Sequence, residues 1–313
     1  MSDISASVSK SIPHLPNTFL AIPQEDATLN KSRVVVLPVP YDSTASYRAG
    51  MREGPGAIIN ASRQLEDFDL ELGFEPMSVG IHTAPELEPH MDGPKAMVQR
   101  IKDAVTPLAK AGKLVAVLGG EHTVALGSIQ AFASLYDDLS VLYLDAHADM
   151  RDEYMGTRHG HASVARRAHE LCPVVEVGVR SLSQDEHRFI QKANVPVFYW
   201  SAEASIDDVI PEVLSRLSPK VYISVDVDVF DPSVMSAVSL PEAGGMAWYE
   251  VLKLLRAVSE KKEIVGFDIN ELSPQEGPDA CAFTAAKLAY KIIGYTVAAK
   301  EIRPSKKRRS APR

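Results

Sequence analysis

Short runs of apolar, largely β-branched residues recur along this 313-residue chain and alternate with segments of helical spacing. Most of these runs are nearly continuous in apolar residues, which is typical of strands buried on both faces of a parallel sheet. They predict seven strands and a weaker eighth, in chain order Val34–Leu37, Ser78–Ile81 (the weaker one), Leu114–Leu118, Val141–Leu144, Val174–Val177, Val195–Tyr199, Val221–Val225 and Ile264–Phe267.

Four segments between the strands have the spacing of amphipathic helices: Pro94–Ala111, Ser163–Leu171, Val209–Leu217 and Trp248–Glu260. The alternation of strands and helices predicts an α/β fold. No linker rich in Pro, Gly or Ser divides the chain. We therefore expect one domain over residues 31–301, an irregular N-terminal segment at 1–30 and a disordered basic tail at 302–313.

The charge balance and the cysteine content limit the classes of protein to which the chain could belong. The net charge of −8 argues against a general nucleic-acid binder, although the basic tail leaves its own role open. No run approaches the ~18 apolar residues of a membrane span. Two cysteines are too few for a secreted disulfide framework. We expect a cytoplasmic protein.

Three of the predicted strands run directly into acidic residues and histidines. In an open parallel sheet, ligands bind beyond the carboxyl ends of the strands. Asp145-x-His147-x-Asp149 can direct three side chains to one side, and Asp226-x-Asp228 repeats this spacing after a later strand. His122 follows Gly119-Gly120-Glu121 after a third strand.

These four aspartates and two histidines predict a metal centre. So many like charges in one place are tenable only if cations compensate them. Carboxylate and imidazole ligands without thiolate suit two divalent ions of the Mn²⁺ class. Two such ions about 3.5–4 Å apart can activate a water molecule for attack.

The same residues lie in motifs that resemble the successive signatures of the ureohydrolase family, the arginases and agmatinases. These motifs are GGEHT, DAHADMRDEY, GHAS, SVDVDVFDPS and DINELSP, preceded by an N-terminal match from Pro40 to Ile58. The resemblance covers residues 34–290 and is greatest to microbial agmatinases. It implies a three-layer α-β-α fold with a mostly parallel eight-stranded sheet, two Mn²⁺ ions, and a homotrimer or homohexamer. The positions that match the family's metal ligands are His122, Asp145, His147, Asp149, Asp226 and Asp228.

The resemblance also implies an activity, the hydrolysis of a guanidino group to urea and an amine, and it assigns two catalytic residues. The amine must gain a proton before it leaves, and a histidine suits that transfer. His161 matches the family's proton shuttle, although His159 lies only two residues away. Glu271 matches the acid that binds the guanidinium, a role in which a carboxylate can accept two parallel N–H bonds.

Residues 150–160 bear on the substrate. They lack the Asn and Ser with which arginases hold an amino acid, and they resemble the corresponding loop of agmatinases. Agmatine, converted to putrescine in polyamine biosynthesis, is therefore the expected substrate. Asp152 or Glu153 could pair with its distal ammonium, and Tyr154 could pack on its methylene chain.

Other substrates and one other function remain open. Arg151 or Arg158 could receive a carboxylate such as that of 4-guanidinobutyrate. Aminopropylagmatine, arginine, a formimino or acetyl-lysine-like amide, and a non-catalytic metal-binding relative are further alternatives. The sequence does not identify the physiological metal.

Overall fold

The structure, a computed structural model, describes residues 15–302. Eight strands form one sheet in the order β2-β1-β3-β8-β7-β4-β5-β6, and every neighbouring pair is parallel. The strands are β1 (Val34–Val39), β2 (Ile81–Thr83), β3 (Leu114–Gly119), β4 (Leu139–Leu144), β5 (Val174–Val179), β6 (Val197–Tyr199), β7 (Lys220–Asp226) and β8 (Glu263–Asn270). The α/β prediction and the eight strands are confirmed, with all strands parallel.

Helices cover both faces of this sheet and create the three predicted layers. They are α1 (Gly54–Ser62), α2 (Pro94–Lys110), α3 (Thr123–Ala133), α4 (Val164–His169), α5 (Gln184–Ala193), α6 (Ile206–Arg216), α7 (Trp248–Lys261) and α8 (Ala280–Ile302). One apolar core joins the sheet to α1, α6, α7 and α8, and a second core joins its other face to α2, α3, α4 and α5. Both faces of the strands are therefore buried, as their continuous apolar runs indicate.

Two edge strands differ in extent from their predictions. The weak strand predicted at Ser78–Ile81 begins three residues later and spans Ile81–Thr83. Its predicted start is occupied by a 3₁₀ turn over residues Pro76–Val79. The strand predicted at Val195–Tyr199 begins two residues later, at Val197. The central strands extend beyond the predicted runs, and β7 and β8 reach the polar residues Asp226 and Asn270 at their carboxyl ends.

The predicted segments at the two ends of the chain lie wholly or partly outside the described residues. Residues 1–14 of the expected irregular segment and 303–313 of the expected basic tail are not described, and Ile302 ends α8. Within residues 15–302, no helix is both long enough and apolar enough to cross a membrane.

Candidate metal centre and active site

The carboxyl ends of four adjacent strands, β3, β8, β7 and β4, bring the predicted site residues to one edge of the sheet. His122 lies between β3 and α3, and Asp145 directly follows β4. Asp226 is the last residue of β7, and Glu271 directly follows β8. Because the strands are parallel and neighbouring, these side chains meet although they come from distant parts of the chain.

The glycine pair before His122 allows this convergence. A Cβ at Gly120 would lie 2.1 Å from the carbonyl oxygen of Tyr41, too close for any side chain. That same carbonyl accepts the backbone N–H of Glu121 at 2.7 Å. Gly120 therefore lets the turn after β3 pack against the segment after β1, which fixes the position of His122.

Two groups of three residues could each hold a metal ion. The first is His122, Asp145 and Asp226, and the second is Asp145, His147 and Asp228. Within each group the potential ligand atoms lie within 4.8 Å of one another. Asp145 belongs to both groups, so one carboxylate could contact two ions.

Backbone hydrogen bonds orient the three carboxylates. Oδ1 of Asp145 accepts the N–H of His147 at 2.6 Å, and Oδ1 of Asp226 accepts the N–H of Asp228 at 2.8 Å. Oδ1 of Asp228 accepts the N–H of Ala146 at 3.0 Å. Each carboxylate thus uses one oxygen for the backbone and directs Oδ2 into the site.

These Oδ2 atoms face the imidazole nitrogens. Nδ1 of His122 lies 3.0 Å from Oδ2 of Asp145 and 3.4 Å from Oδ2 of Asp226. Nδ1 of His147 lies 2.8 Å from Oδ2 of Asp228. Oδ2 of Asp145 is buried and accepts no hydrogen bond from the described residues, so its approach to His122 is a close contact of two potential ligand atoms.

The hydrogen bonds behind His122 show that its environment fits a cation. Nε2 of His122 lies 2.9 Å from Oγ of Ser224, and the Ser224 hydroxyl donates to Asp268 at 2.8 Å. Since the serine has a single proton, Nε2 of His122 must be the donor in its contact with Ser224. In the neutral imidazole the lone pair of Nδ1 therefore faces the carboxylates, an arrangement that a metal ion stabilises.

The charges of the cluster support the same interpretation. Burial and the charges of neighbouring carboxylates raise the pKa of Asp226 well above its ordinary value. Burial alone would also raise the pKa of Asp145, but the adjacent imidazoles of His122 and His147 lower it to about 2. The site cannot carry all its negative charges without compensating positive charge.

Asp149, the remaining predicted ligand, lies beside the first group without belonging to either. Its Oδ2 atom accepts the hydroxyl hydrogen of Tyr143 at 2.8 Å and lies 3.5 Å from Nδ1 of His122. The Tyr143 ring stacks on the His122 ring with centroids 4.5 Å apart. Asp149 has a φ of 49°, a left-handed conformation that directs this residue back towards the cluster.

Glu271 also has a left-handed backbone, with a φ of 68°. Its N–H donates to the carbonyl of Gly120 at 2.7 Å, and its Oε1 accepts the N–H of His122 at 2.7 Å. Oε2 lies 3.5 Å from the Ser239 hydroxyl. Burial raises the pKa of Glu271 to about 8. The residue is therefore fixed against the turn that carries His122, with one oxygen directed towards Ser239.

One cavity of about 250 Å³ adjoins all these groups. Its lining includes His122, His147, Asp149, Asp226, Asp228, Glu271 and His161, together with Ser46, Arg151, Tyr154, Leu182, Ser183, Glu186, Ser239 and Leu240. His159 does not line this cavity, so geometry favours His161 over its neighbour. Burial, with the nearby His147 and His122, lowers the pKa of His161 to about 4.

Of the charged residues that the sequence analysis considered in the 150–160 loop, Asp152 and Glu153 do not line the cavity. Asp152 pairs with Arg158 at 2.7 Å and with Arg167 at 2.6 Å, and Glu153 is exposed outside the cavity. Arg151 does line the cavity, and its guanidinium lies 4.8 Å from the centroid of the Tyr154 ring.

Sequence reasoning missed Glu186 as a cavity residue. Its Oε2 accepts hydrogen bonds from the backbone and the hydroxyl of Ser183 at 2.7 Å, which caps α5, and its Oε1 accepts the N–H of Met150 at 3.1 Å. The S-x-x-E spacing of Ser183 and Glu186 predicts a helix start, but it carries no sign of a binding site. Both carboxylate oxygens are engaged by the protein itself.

Comparison with known proteins identifies the family of the chain. Residues 32–294 match the model of the arginase family. The chain is 38% identical over 296 residues to N(1)-aminopropylagmatine ureohydrolase of Synechocystis sp., covering 90% of this chain and 97% of the relative. It is 42% identical over 279 residues to the enzyme of that name from Thermus thermophilus, covering 88% and 94%.

A solved structure extends the comparison to the fold. The crystal structure of agmatine ureohydrolase of Thermoplasma volcanium superposes with a TM-score of 0.84 at 31% identity, over 95% of this chain and 100% of the other. The chain therefore belongs to the arginase family and is a metal-dependent hydrolase.

Proposed function

We propose that the chain hydrolyses the guanidino group of a linear polyamine-type substrate to urea and an amine, with N(1)-aminopropylagmatine preferred and agmatine second. The observation that carries the reaction is one cavity bordered by both His/Asp groups, Glu271 and His161. The preference for the longer substrate rests on the relatives that are 38% and 42% identical over about nine-tenths of this chain. The sequence of the 150–160 loop predicts agmatine as the substrate. We place N(1)-aminopropylagmatine before it because these relatives are named N(1)-aminopropylagmatine ureohydrolase.

In this proposal the six predicted ligands would hold two Mn²⁺ ions, and Asp145 belongs to both groups of potential ligands. When bound, the ions supply a water of lowered pKa that can attack near neutral pH. The donor set contains carboxylates and imidazoles without thiolate, which suits Mn²⁺ over softer metals. Backbone N–H groups occupy Oδ1 of Asp145, Asp226 and Asp228, so their Oδ2 atoms would be the oxygens that bind the ions.

Glu271 binds the guanidinium group in this proposal, and His161 transfers the proton. Glu271 accepts N–H bonds from the guanidinium and holds its carbon near the His/Asp groups. Since its pKa is lowered, His161 is neutral near pH 7 and can accept a proton at Nε2. It takes the proton that the attacking water releases and passes it to the leaving nitrogen, so that the amine departs neutral.

The cavity wall suits an apolar chain with amine groups. Leu182, Leu240 and Tyr154 offer surface for methylene groups, and the lining serine hydroxyls can accept hydrogen bonds from ammonium groups. Arg151, the one Arg or Lys side chain among the described residues of this lining, lies over Tyr154 with Nε 3.8 Å from Oε2 of Glu186. This contact reduces the attraction of Arg151 for a guanidino acid.

A substrate panel tests the proposal. Urea release by the Mn²⁺-loaded protein would be measured with N(1)-aminopropylagmatine, agmatine, 4-guanidinobutyrate and arginine, and the kcat/KM values compared. We expect N(1)-aminopropylagmatine to be the best substrate, followed by agmatine. A preference for either guanidino acid would contradict the substrate assignment but would leave the hydrolytic reaction in place.

We also propose, from the resemblance, that the enzyme is a cytoplasmic homotrimer or homohexamer. The low cysteine content supports the cytoplasmic location, and the family resemblance supports the oligomeric state. Light scattering of the purified protein would measure the mass of the assembly, and a monomer would contradict this part of the proposal.

A further inference from the structure

The hydroxyl of Thr44 contacts both the backbone and the imidazole ring of His161. Oγ1 of Thr44 donates to Oε1 of Glu121 at 2.9 Å and accepts the backbone N–H of His161 at 3.1 Å. It also lies 3.0 Å from Nδ1 of His161. Thr44 follows β1, whereas His161 lies 117 residues further along, between β4 and α4.

A count of protons and lone pairs decides the direction of the contact with Nδ1. A threonine hydroxyl has one proton to donate and two lone pairs that accept. The proton goes to Glu121 and one lone pair accepts the His161 amide, so only a second lone pair remains for Nδ1. Nδ1 must then carry a hydrogen for the contact to be a hydrogen bond.

The surroundings of Glu121 hold the Thr44 proton in that direction. Glu121 is fully buried, and its Oε2 accepts the backbone N–H of Thr44 at 2.7 Å. The Thr123 hydroxyl is a more distant neighbour of Oγ1 of Thr44, at 3.3 Å. Both oxygens of Glu121 accept hydrogen bonds from Thr44, one from its backbone and one from its hydroxyl, so the carboxylate is the acceptor for the Thr44 proton.

We infer that Thr44 is a positioning residue that holds the proton of neutral His161 on Nδ1 and leaves the lone pair of Nε2 directed into the cavity. Nε2 is the nitrogen on the cavity side, since it lies 3.5 Å from Oγ of Ser46, another lining residue. In this tautomer Nε2 can accept a proton at once, whereas in the other tautomer it already carries one. This inference rests on the proposed function for its catalytic consequence but not for the tautomer itself.

The tautomer is measured directly by NMR. Protein with ¹⁵N-labelled histidines and loaded with Zn²⁺, which is diamagnetic, would be examined through long-range ¹H–¹⁵N correlations, and a His161→Gln sample would assign the signal. We expect His161 to be neutral with its proton on Nδ1, and the Thr44→Val protein to show a shift towards the Nε2–H form. A wild-type His161 with its proton on Nε2 would overturn the inference.

Kinetics separate positioning from a general effect on the structure. Thr44→Val keeps the side-chain shape and removes the hydroxyl, and we expect kcat to fall by about 10²-fold, within the contribution of general acid–base catalysis, with KM little changed. Thr44→Ser restores a hydroxyl and should recover most of kcat. Thr296→Val is the control, because its hydroxyl bonds only the Ile292 carbonyl within α8 and the residue does not line the cavity. Equal kcat values for Thr44→Val and Thr296→Val would overturn the inference.

The two proposals fail in different ways. If His161→Gln abolishes urea release while Thr44→Val has wild-type kinetics and the proton lies on Nε2, the positioning role is wrong and the hydrolase stands. If the NMR shows the Nδ1–H form but His161→Gln retains full activity, the shuttle in the proposed function is wrong while the effect of Thr44 on the tautomer stands.

Discussion

Oδ2 of Asp145 lies 3.0 Å from Nδ1 of His122, while Oδ1 of the same carboxylate accepts the N–H of His147 at 2.6 Å. One side chain thus joins the two groups that could hold metal ions. The rest of the site is arranged around this contact, because the strands that carry Asp226, Asp228 and His122 all end beside Asp145.

Asp145→Asn should remove both metal ions, because it removes the shared carboxylate while it keeps the shape of the side chain. Urea release should fall at least about a thousand-fold, since a metal ion supplies several kcal/mol of transition-state stabilisation and each 1.4 kcal/mol is tenfold. Asp228→Asn should retain more metal, although we expect it to be inactive as well. Elemental analysis of Mn²⁺ per chain checks the difference, with exposed Asp103→Asn as the control. Two ions in Asp145→Asn would contradict the shared role.

Ser224→Ala should weaken metal binding without removing a ligand. Its hydroxyl links Nε2 of His122 to Asp268, and loss of such an outer hydrogen bond typically costs about 10–100-fold in metal affinity. Titration of metal-free protein with Mn²⁺ against a competing chelator gives the affinity. Ser259→Ala is the control, since Ser259 is also buried but bonds a helix carbonyl far from the site. Equal affinities for the two variants would be evidence against the assigned orientation of His122.

His161→Gln should lower kcat by about 10²–10⁴-fold, the usual contribution of a general acid–base residue. His159→Gln should have a small effect, because His159 does not line the cavity. The two residues lie on the same loop, so each variant is the control for the other in steady-state assays of urea release. A severe loss in His159→Gln with a mild loss in His161→Gln would reassign the shuttle.

Some features of this site can be predicted from the sequence, and others cannot. The acidic strand ends are predictable because Asp145 and Asp226 directly follow apolar runs typical of buried strands, and His147 lies two residues after Asp145. The choice between His159 and His161 depends on the path of a loop, and the approach of Thr44 to His161 joins residues 117 positions apart. Neither leaves a pattern in a single sequence, because both are set by tertiary packing.

Four helices were missed, α1, α3, α5 and α8, and two of them were missed for a related reason. Helix α3 buries nearly every residue from Thr123 to Phe132, and α8 is also largely buried, so neither shows the polar face by which an amphipathic helix is recognised. The three-layer architecture came from the resemblance to the ureohydrolase family, since alternation of strands and helices predicts only the α/β class.

Gly127→Ala should destabilise the fold. A Cβ at Gly127 in α3 would lie 2.6 Å from the Val98 carbonyl oxygen and from Cβ of Ile101 in α2, so the two helices would have to separate. Overpacking of this kind typically costs about 1–3 kcal/mol. Gly56→Ala in α1 is the control, because a Cβ there meets nothing within 4 Å and should leave stability unchanged or raise it by up to about 1 kcal/mol. Urea unfolding measures both, and equal stabilities would contradict the tight α2–α3 contact.

Glu71→Gln should reduce stability at neutral pH more than at acid pH. Glu71 accepts hydrogen bonds from Lys291 at 2.7 Å, Tyr295 at 2.8 Å and Arg256 at 2.7 Å. Burial alone would raise its pKa, but these partners lower it below the ordinary value of 4.5. Its stabilising contribution is therefore present above pH 4.5 and is lost as the pH falls through the lower pKa of the folded state.

The Tm difference between wild type and Glu71→Gln should accordingly be largest near pH 7 and shrink as the pH falls below 4.5. Glu66→Gln, at an exposed neighbouring position, should show little difference at any pH. A Tm difference for Glu71→Gln that is constant with pH would mean that the charge of Glu71 is not what stabilises this contact.

The most direct test of the hydrolytic metal centre is urea formation from N(1)-aminopropylagmatine while Mn²⁺ is added stepwise to metal-free protein. We predict no urea at the start and a rate that rises until two ions are bound per chain. An unchanged rate without metal, or no urea from this substrate or agmatine with two ions bound, would contradict the account.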